Sequence, residues 1–139
     1  MKSAAVLLDA SATLAWLLDD EADGPAYDTL LSGRELFATS LWQLEVVNAL
    51  LKRERQKRLS RGQVDRLLRQ LDALGVRILP DPDPRSLVGL AELARPHQLS
   101  SYDASYLDAA LTHGLPLATE DNNLRQACQA LGVVLLSPG

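Results

Sequence analysis

A chain of 139 residues that is 47% hydrophobic predicts one globular domain over 1–139, with no apolar run long enough for a membrane span. The formal net charge of -4 excludes a protein that grips nucleic acid with its whole surface, because phosphate contacts need lysine and arginine. The single Cys128 excludes an internal disulfide, reads as a small core residue, and fits a reducing, cytoplasmic setting.

The N-terminal stretch carries one lysine and a short apolar run that ends at Asp9, too short for a signal peptide. From Ala4 to Leu8 that run predicts a strand buried on both faces, as in a parallel sheet covered by helices. Ligands in such sheets bind beyond the carboxyl ends of the strands, which is where Asp9 falls. Ala12 to Leu18 reads as a helix ended by the acidic run Asp19-Asp20-Glu21, and Gly24-Pro25 opens another through Leu31, closed near Gly33. Glu35 to Ser40 is the second predicted strand.

Ser40 is a candidate N-cap for a helix from about Leu41 to Gln56, with Leu44, Val47, Leu50 and Leu51 as its apolar stripe. Glu45 and Asn48, three residues apart, share another side of that helix near its start. Gly62 breaks into a helix from Gln63 to Leu74, stopped by Gly75, whose stripe is Val64, Leu67, Leu68 and Leu71. Val76 to Leu79 is a third strand, and Pro80-Asp81-Pro82-Asp83-Pro84 is a stiff connector. Ser86 to Ala94 reads as a helix, Ser100 starts the next from about Tyr102 to His113, and Gly114 stops it, with Asp103 in its first turn. A short strand from Leu115 to Thr119, the polar Glu120-Asp121-Asn122-Asn123, a helix to Leu131 and a last strand from Val133 to Leu136 complete the chain. Alternating strands and helices predict an α/β fold, a mainly parallel central sheet of four to five strands between two helical layers.

Between Lys52 and Arg61 six of ten residues are basic (Lys52, Arg53, Arg55, Lys57, Arg58 and Arg61), and Arg66 and Arg69 follow. A solvated helix face is the ordinary explanation; contact with RNA or a partner is the functional one. Asp9 and Asp121 both follow predicted strands, while Glu45 and Asp103 sit near the starts of helices that leave the same sheet edge. Singly, each acid has an ordinary role: Asp9 can cap a helix and Asp103 can complement a helix N-terminus. Four converging carboxylates repel one another, and a hard divalent cation such as Mg²⁺ or Mn²⁺ relieves that repulsion. His97 and His113 stand isolated and lack metal-ligand spacing.

The four acids lie in Leu8-Asp9-Ala10-Ser11, Leu44-Glu45-Val46-Val47-Asn48-Ala49-Leu50, Tyr102-Asp103-Ala104-Ser105-Tyr106-Leu107 and Leu117-Ala118-Thr119-Glu120-Asp121-Asn122-Asn123-Leu124. In these motifs, taken in order, the chain resembles the PIN-domain nucleases, and within them the VapC-type ribonuclease toxins of toxin-antitoxin modules. The resemblance implies a PIN-like three-layer α/β/α fold and an acidic, Mg²⁺- or Mn²⁺-binding catalytic site of Asp9, Glu45, Asp103 and Asp121, with Asp9 and Asp103 as the main metal ligands. It assigns Ser11, Asn48 and Thr119 to supporting roles, and it leaves out Asp108 and Glu120, which match no family position. The implied activity is endoribonuclease hydrolysis of RNA phosphodiester bonds. The implied partners are an RNA substrate, a cognate antitoxin that blocks the cleft, and a second copy in a homodimer, with no membrane. Neutralising the four site acids would bring the formal charge to zero, after which the Lys52 to Arg69 region can steer an RNA backbone.

Two other acid-bearing α/β families fit less well. A receiver domain and a haloacid-dehalogenase phosphatase both need a lysine late in the chain, whereas Lys2, Lys52 and Lys57 are all early; the phosphatase motif also needs an aspartate where Ser11 stands. The remaining alternative is a catalytically silent PIN-like module that binds RNA or protein without cutting.

Overall fold

A computed structural model of the chain describes residues 5–18, 23–80 and 87–138. The acidic run at 19–21 and most of the proline-rich connector at 80–84 lie outside the described residues. Strand β1 (Ala5–Leu8) leads into α1 (Ala10–Leu17) and α2 (Gly24–Leu31), followed by β2 (Glu35–Ala38), α3 (Ser40–Arg55), α4 (Arg61–Ala73) and β3 (Arg77–Ile78). Then come α5 (Leu87–Ala94), a 3-10 turn at Arg95–His97, α6 (Ser101–His113), β4 (Leu117–Ala118) and α7 (Asn122–Leu131).

The four described strands form one parallel sheet in the order β3-β2-β1-β4. The order reverses at β1: β2 and β3 extend to one side, and β4 pairs on the other. That reversal opens a crevice between the carboxyl ends of β1 and β4, the place where parallel sheets accept ligands. Both faces of β1 are buried, as its unbroken apolar sequence requires. Leu7 aligns with Phe37 on β2 and Leu117 on β4, and this face packs beneath α3, α4, α6 and α7 through Val46, Leu50, Val64, Leu107 and Leu124. Val6 aligns with Leu36 and Leu8 with Ala118, and the opposite face is covered by Ala12 and Ala15 of α1 and Tyr27 and Leu31 of α2. Each fully buried leucine contributes about 1.5–3 kcal/mol to this core, which fixes the strand ends against one another.

Several local expectations need correction. On α3 only Leu50 of the expected stripe is buried; the core contacts come from Trp42, Val46 and Leu50, at four-residue spacing. Leu44 is 71% exposed, and Val47 and Leu51 are also exposed. Helix α3 carries apolar residues on two sides, and Trp42 selects the buried one because its indole N–H finds the Thr13 hydroxyl at 2.9 Å. Ser40 is the first helical residue instead of the cap; Thr39 holds the cap position, without a side-chain hydrogen bond to the helix. Gly62 lies inside the first turn of α4, which Ser60 and Gln63 close with a reciprocal capping box. Val133 to Leu136 makes only an isolated parallel bridge, Leu117 to Leu135, instead of a full strand. Ser100 caps α6 through the Asp103 N–H, and Gly114 ends that helix at a positive φ of 63°, as their residue types dictate. Cys128 is fully buried on α7, with its thiol pushed up to about 11 by burial and then by the charge of Asp9.

Candidate active site

Every strand of the sheet runs the same way, so the segments that follow β1, β2 and β4 emerge at one edge. Asp9 follows β1 directly and caps α1, accepting the Ala12 N–H at 2.8 Å. It is 3% exposed. The Ser11 hydroxyl donates to its two carboxylate oxygens at 2.8 and 2.9 Å, and the Thr119 hydroxyl, from the end of β4, donates to Oδ2. Three donors thus face one buried carboxylate, and the Ser11 and Thr119 hydroxyls reach it from either side of the β1/β4 crevice.

These hydrogen bonds do not offset desolvation. Burial pushes the Asp9 carboxyl up to about 6, against the lowering effect of Thr119, Ala12 and Ser11, and the charge of Asp103 raises it further. Asp103, in the first turn of α6, is likewise pushed up to about 6, by burial first and then by the charges of Asp121 and Glu45. The sheet edge therefore brings all four acids into one electrostatic neighbourhood, with Asp103 coupled to each of the others. Asp121 caps α7 by accepting the Leu124 N–H at 2.8 Å, while its own N–H donates to Thr119 Oγ1 at 3.1 Å. Glu45 stands in the second turn of α3 and accepts the Tyr106 hydroxyl at 2.8 Å. Asn48 is exposed and lines a shallow groove beside Glu45.

The basic residues lie elsewhere. Lys52, Arg53 and Arg55 occupy the last turn of α3, Lys57 and Arg58 the connection to α4, and Arg61 its start. With a rise of about 1.5 Å per residue, Lys52 and Arg55 sit roughly 10 and 15 Å along the helix from Glu45. Glu45, Asn48, Lys52 and Arg55 recur at three- and four-residue spacing, so one side of α3 runs from the acidic pocket to the cationic end. Cations at a helix C-terminus also complement its dipole.

Three further residues belong to the site that motif reasoning did not supply. Buried Thr13 donates to the Asp9 carbonyl at 2.8 Å and accepts from Trp42, tying α3 to the backbone of Asp9. The Tyr106 hydroxyl, on a side chain buried in the core, reaches Glu45 one turn beyond Asp103 on α6. Only Thr13 left a local sign: it stands four residues after Asp9, where a hydroxyl at a helix start reaches back to a carbonyl.

Four hard oxygen acids, two of them strained by burial and mutual repulsion, are chemically suited to a divalent cation. Among the described residues, however, no three or more His, Cys, Asp or Glu side chains already surround a point where an ion would sit. The donor chemistry fits a cation, although no closed cage of such side chains stands among the described residues. Among the described residues, no helix is long and apolar enough to cross a membrane.

The sequence pattern that defines the PIN domain matches residues 6–130. The chain is also similar to the protein PAE2754 from Pyrobaculum aerophilum, known from a crystal structure: 31% of residues are identical, 88% of this chain and 83% of that one are covered, and the TM-score is 0.66. A search of curated proteins finds no match. With a parallel sheet between two helical layers, acids gathered at its carboxyl edge and a match over nearly its whole length, the chain belongs to the PIN domain family.

Proposed function

We propose that this PIN domain is a divalent-metal-dependent endoribonuclease of VapC type, the toxin of a toxin-antitoxin module. PIN domains are in general metal-dependent nucleases. The observation that carries the reading is the buried Asp9 carboxylate, coupled to Asp103 and through it to Glu45 and Asp121, at the sheet's ligand-binding edge. Carboxyls pushed up to about 6 by burial and by neighbouring acids cluster at functional sites, which favours an active centre over a silent binding module. The absence, among the described residues, of a preformed cage is the observation on the side of a silent module. It weighs less, since like charges recoil until a cation draws them together.

Asp9 and Asp103 would hold Mg²⁺ or Mn²⁺, with Glu45 and Asp121 completing the charge. Such a cation supplies Lewis-acid polarisation of the phosphodiester and a water acidic enough to attack near neutral pH. The chain's own residues do the placing. Ser11 and Thr119 fix the Asp9 carboxylate, Tyr106 fixes Glu45, and the cap at Asp121 fixes the start of α7. Lys52, Arg55 and their basic neighbours would draw the RNA backbone along α3 toward the acids.

A homodimer is part of the proposal. Leu44, Val47, Leu51 and Tyr102 expose an apolar face beside Glu45, and a second copy that covers it would bring two acidic pockets together. Light scattering from the purified protein should give about twice the 15.1 kDa chain mass.

The toxin reading is tested in cells. Expression of the wild type should arrest growth, Asp103→Asn should not, and co-expression of the adjacent gene's product should restore growth and suppress RNase activity. Equal arrest by wild type and Asp103→Asn, or a neighbour without effect on either measure, would overturn it.

A further inference from the structure

Glu120 stands between Thr119 and Asp121, yet its carboxylate is engaged by neither. The hydroxyl of Tyr27, a fully buried residue of α2, donates to Glu120 Oε2. Arg125 of α7 donates its Nη2 to the same oxygen at 2.7 Å and its Nε to the Thr119 carbonyl at 2.9 Å. The Glu120 N–H donates to Ser11 Oγ, also at 2.9 Å. One residue thus ties together α1, α2, the β4–α7 turn and α7. Ser11, which accepts the Glu120 N–H, and Thr119, whose carbonyl Arg125 holds, are the two residues whose hydroxyls donate to Asp9.

We propose that Glu120, clamped by Tyr27 and Arg125, is a positioning residue that sets the Thr119–Asp121 turn and Ser11 in place for divalent-cation binding. The proposal rests on the reading of Asp9, Glu45, Asp103 and Asp121 as a cation site. As a surface ion pair, Arg125 and Glu120 contribute little to stability, since their side chains are 29% and 31% exposed. The geometry gives the pair another use. The planar guanidinium grips the Thr119 carbonyl and the Glu120 carboxylate at once, which fixes the turn's orientation as a lysine, with a single ammonium, cannot. Tyr27 anchors that fork to the buried α2 layer. Hydrogen bonds one step behind metal ligands act on affinity because they restrict where the ligands point.

The test is Mn²⁺ binding to the intact, metal-stripped protein, read from the EPR signal of free Mn²⁺, with urea unfolding in EDTA run in parallel. Glu120→Ala and Arg125→Met should each weaken Mn²⁺ binding by about tenfold or more, while the urea midpoint of Arg125→Met moves little and that of Glu120→Ala falls because the Tyr27 hydroxyl loses its acceptor. Glu120→Gln, which keeps an oxygen acceptor for the clamp, should recover part of the loss. Tyr27→Phe removes a single O–H and should shift affinity the same way by less, which carries the test if Glu120→Ala does not fold. If Glu120→Ala and Arg125→Met bind Mn²⁺ as the wild type does while Asp9→Asn does not, the clamp is wrong and the cation site stands. If the wild type fails to bind Mn²⁺, or Asp9→Asn binds it equally well, the cation site is wrong and the clamp falls with it.

Discussion

Asp9→Asn is expected to lower metal-dependent RNA cleavage by at least about a hundredfold and, at the same time, to make the metal-free protein more stable at neutral pH. The two effects share one cause. Asp9 is 3% exposed, and its carboxyl lies at about 6 against an ordinary value of 3.8. A group whose pKa is higher folded than unfolded contributes stability that is complete below the unfolded value and lost as pH rises through the folded one. For Asp9 that window runs from about pH 4 to about pH 6, so above pH 7 its charge is a burden on the fold. A shift of that size corresponds to roughly 3 kcal/mol at most. Asparagine keeps an oxygen for the Ala12 N–H and an amide to meet Ser11 and Thr119, but gives up charge-assisted hydrogen bonds, which leaves a net gain of about 1–2 kcal/mol. Urea melts in EDTA should show the variant more stable than wild type at pH 7.5 and the difference gone at pH 4. A variant no more stable than wild type at pH 7.5 would mean that the buried charge is already compensated, and the case for a cation would weaken.

Lowering the pH from 6 to 5 at low, fixed Mn²⁺ is expected to cut the initial cleavage rate by about thirtyfold. Asp9 and Asp103 both lie at about 6, and both must shed a proton before they can ligate a cation. The two titrate in the same range, and the charge of Asp103 raises Asp9, so the slope of log rate against pH should exceed one below pH 6, tend to two at lower pH, and flatten above pH 7. Excess Mn²⁺ competes with protons and should move the whole profile to lower pH. A rate that does not change between pH 5 and 7 at low Mn²⁺ would contradict the assignment of these two carboxyls.

What could be read from the sequence is what local chemistry encodes. The apolar run of β1 stops at Asp9 because a two-sided buried strand tolerates no charge before its end. Ser100 and Gly114 bracket α6, and Gly132 closes α7, because caps and left-handed stops depend on neighbouring residues alone. The motifs around the four acids pointed to the family, and the sheet edge sets those acids within electrostatic reach of Asp103. What the sequence hid depends on distant partners. The buried side of α3 is chosen by Trp42 reaching Thr13, 29 residues away, and helical periodicity could not rank that side above the Leu44, Val47 and Leu51 stripe. Tyr106 reads as a core aromatic until Glu45, 61 residues earlier, is seen to accept its hydroxyl. Glu120 looks like a spare acid beside Asp121 because Tyr27, 93 residues earlier, is invisible to any local pattern.

The most direct measurement is cleavage of single-stranded RNA by purified, EDTA-treated protein as Mn²⁺ or Mg²⁺ is titrated back, with wild type and Asp103→Asn side by side. The expected result is no cleavage in EDTA, recovery of the wild type in proportion to the metal bound, and no recovery of Asp103→Asn at any metal concentration that saturates the wild type. Cleavage that persists under chelation, or equal rates for the two proteins, would contradict a metal-dependent nuclease built on these acids.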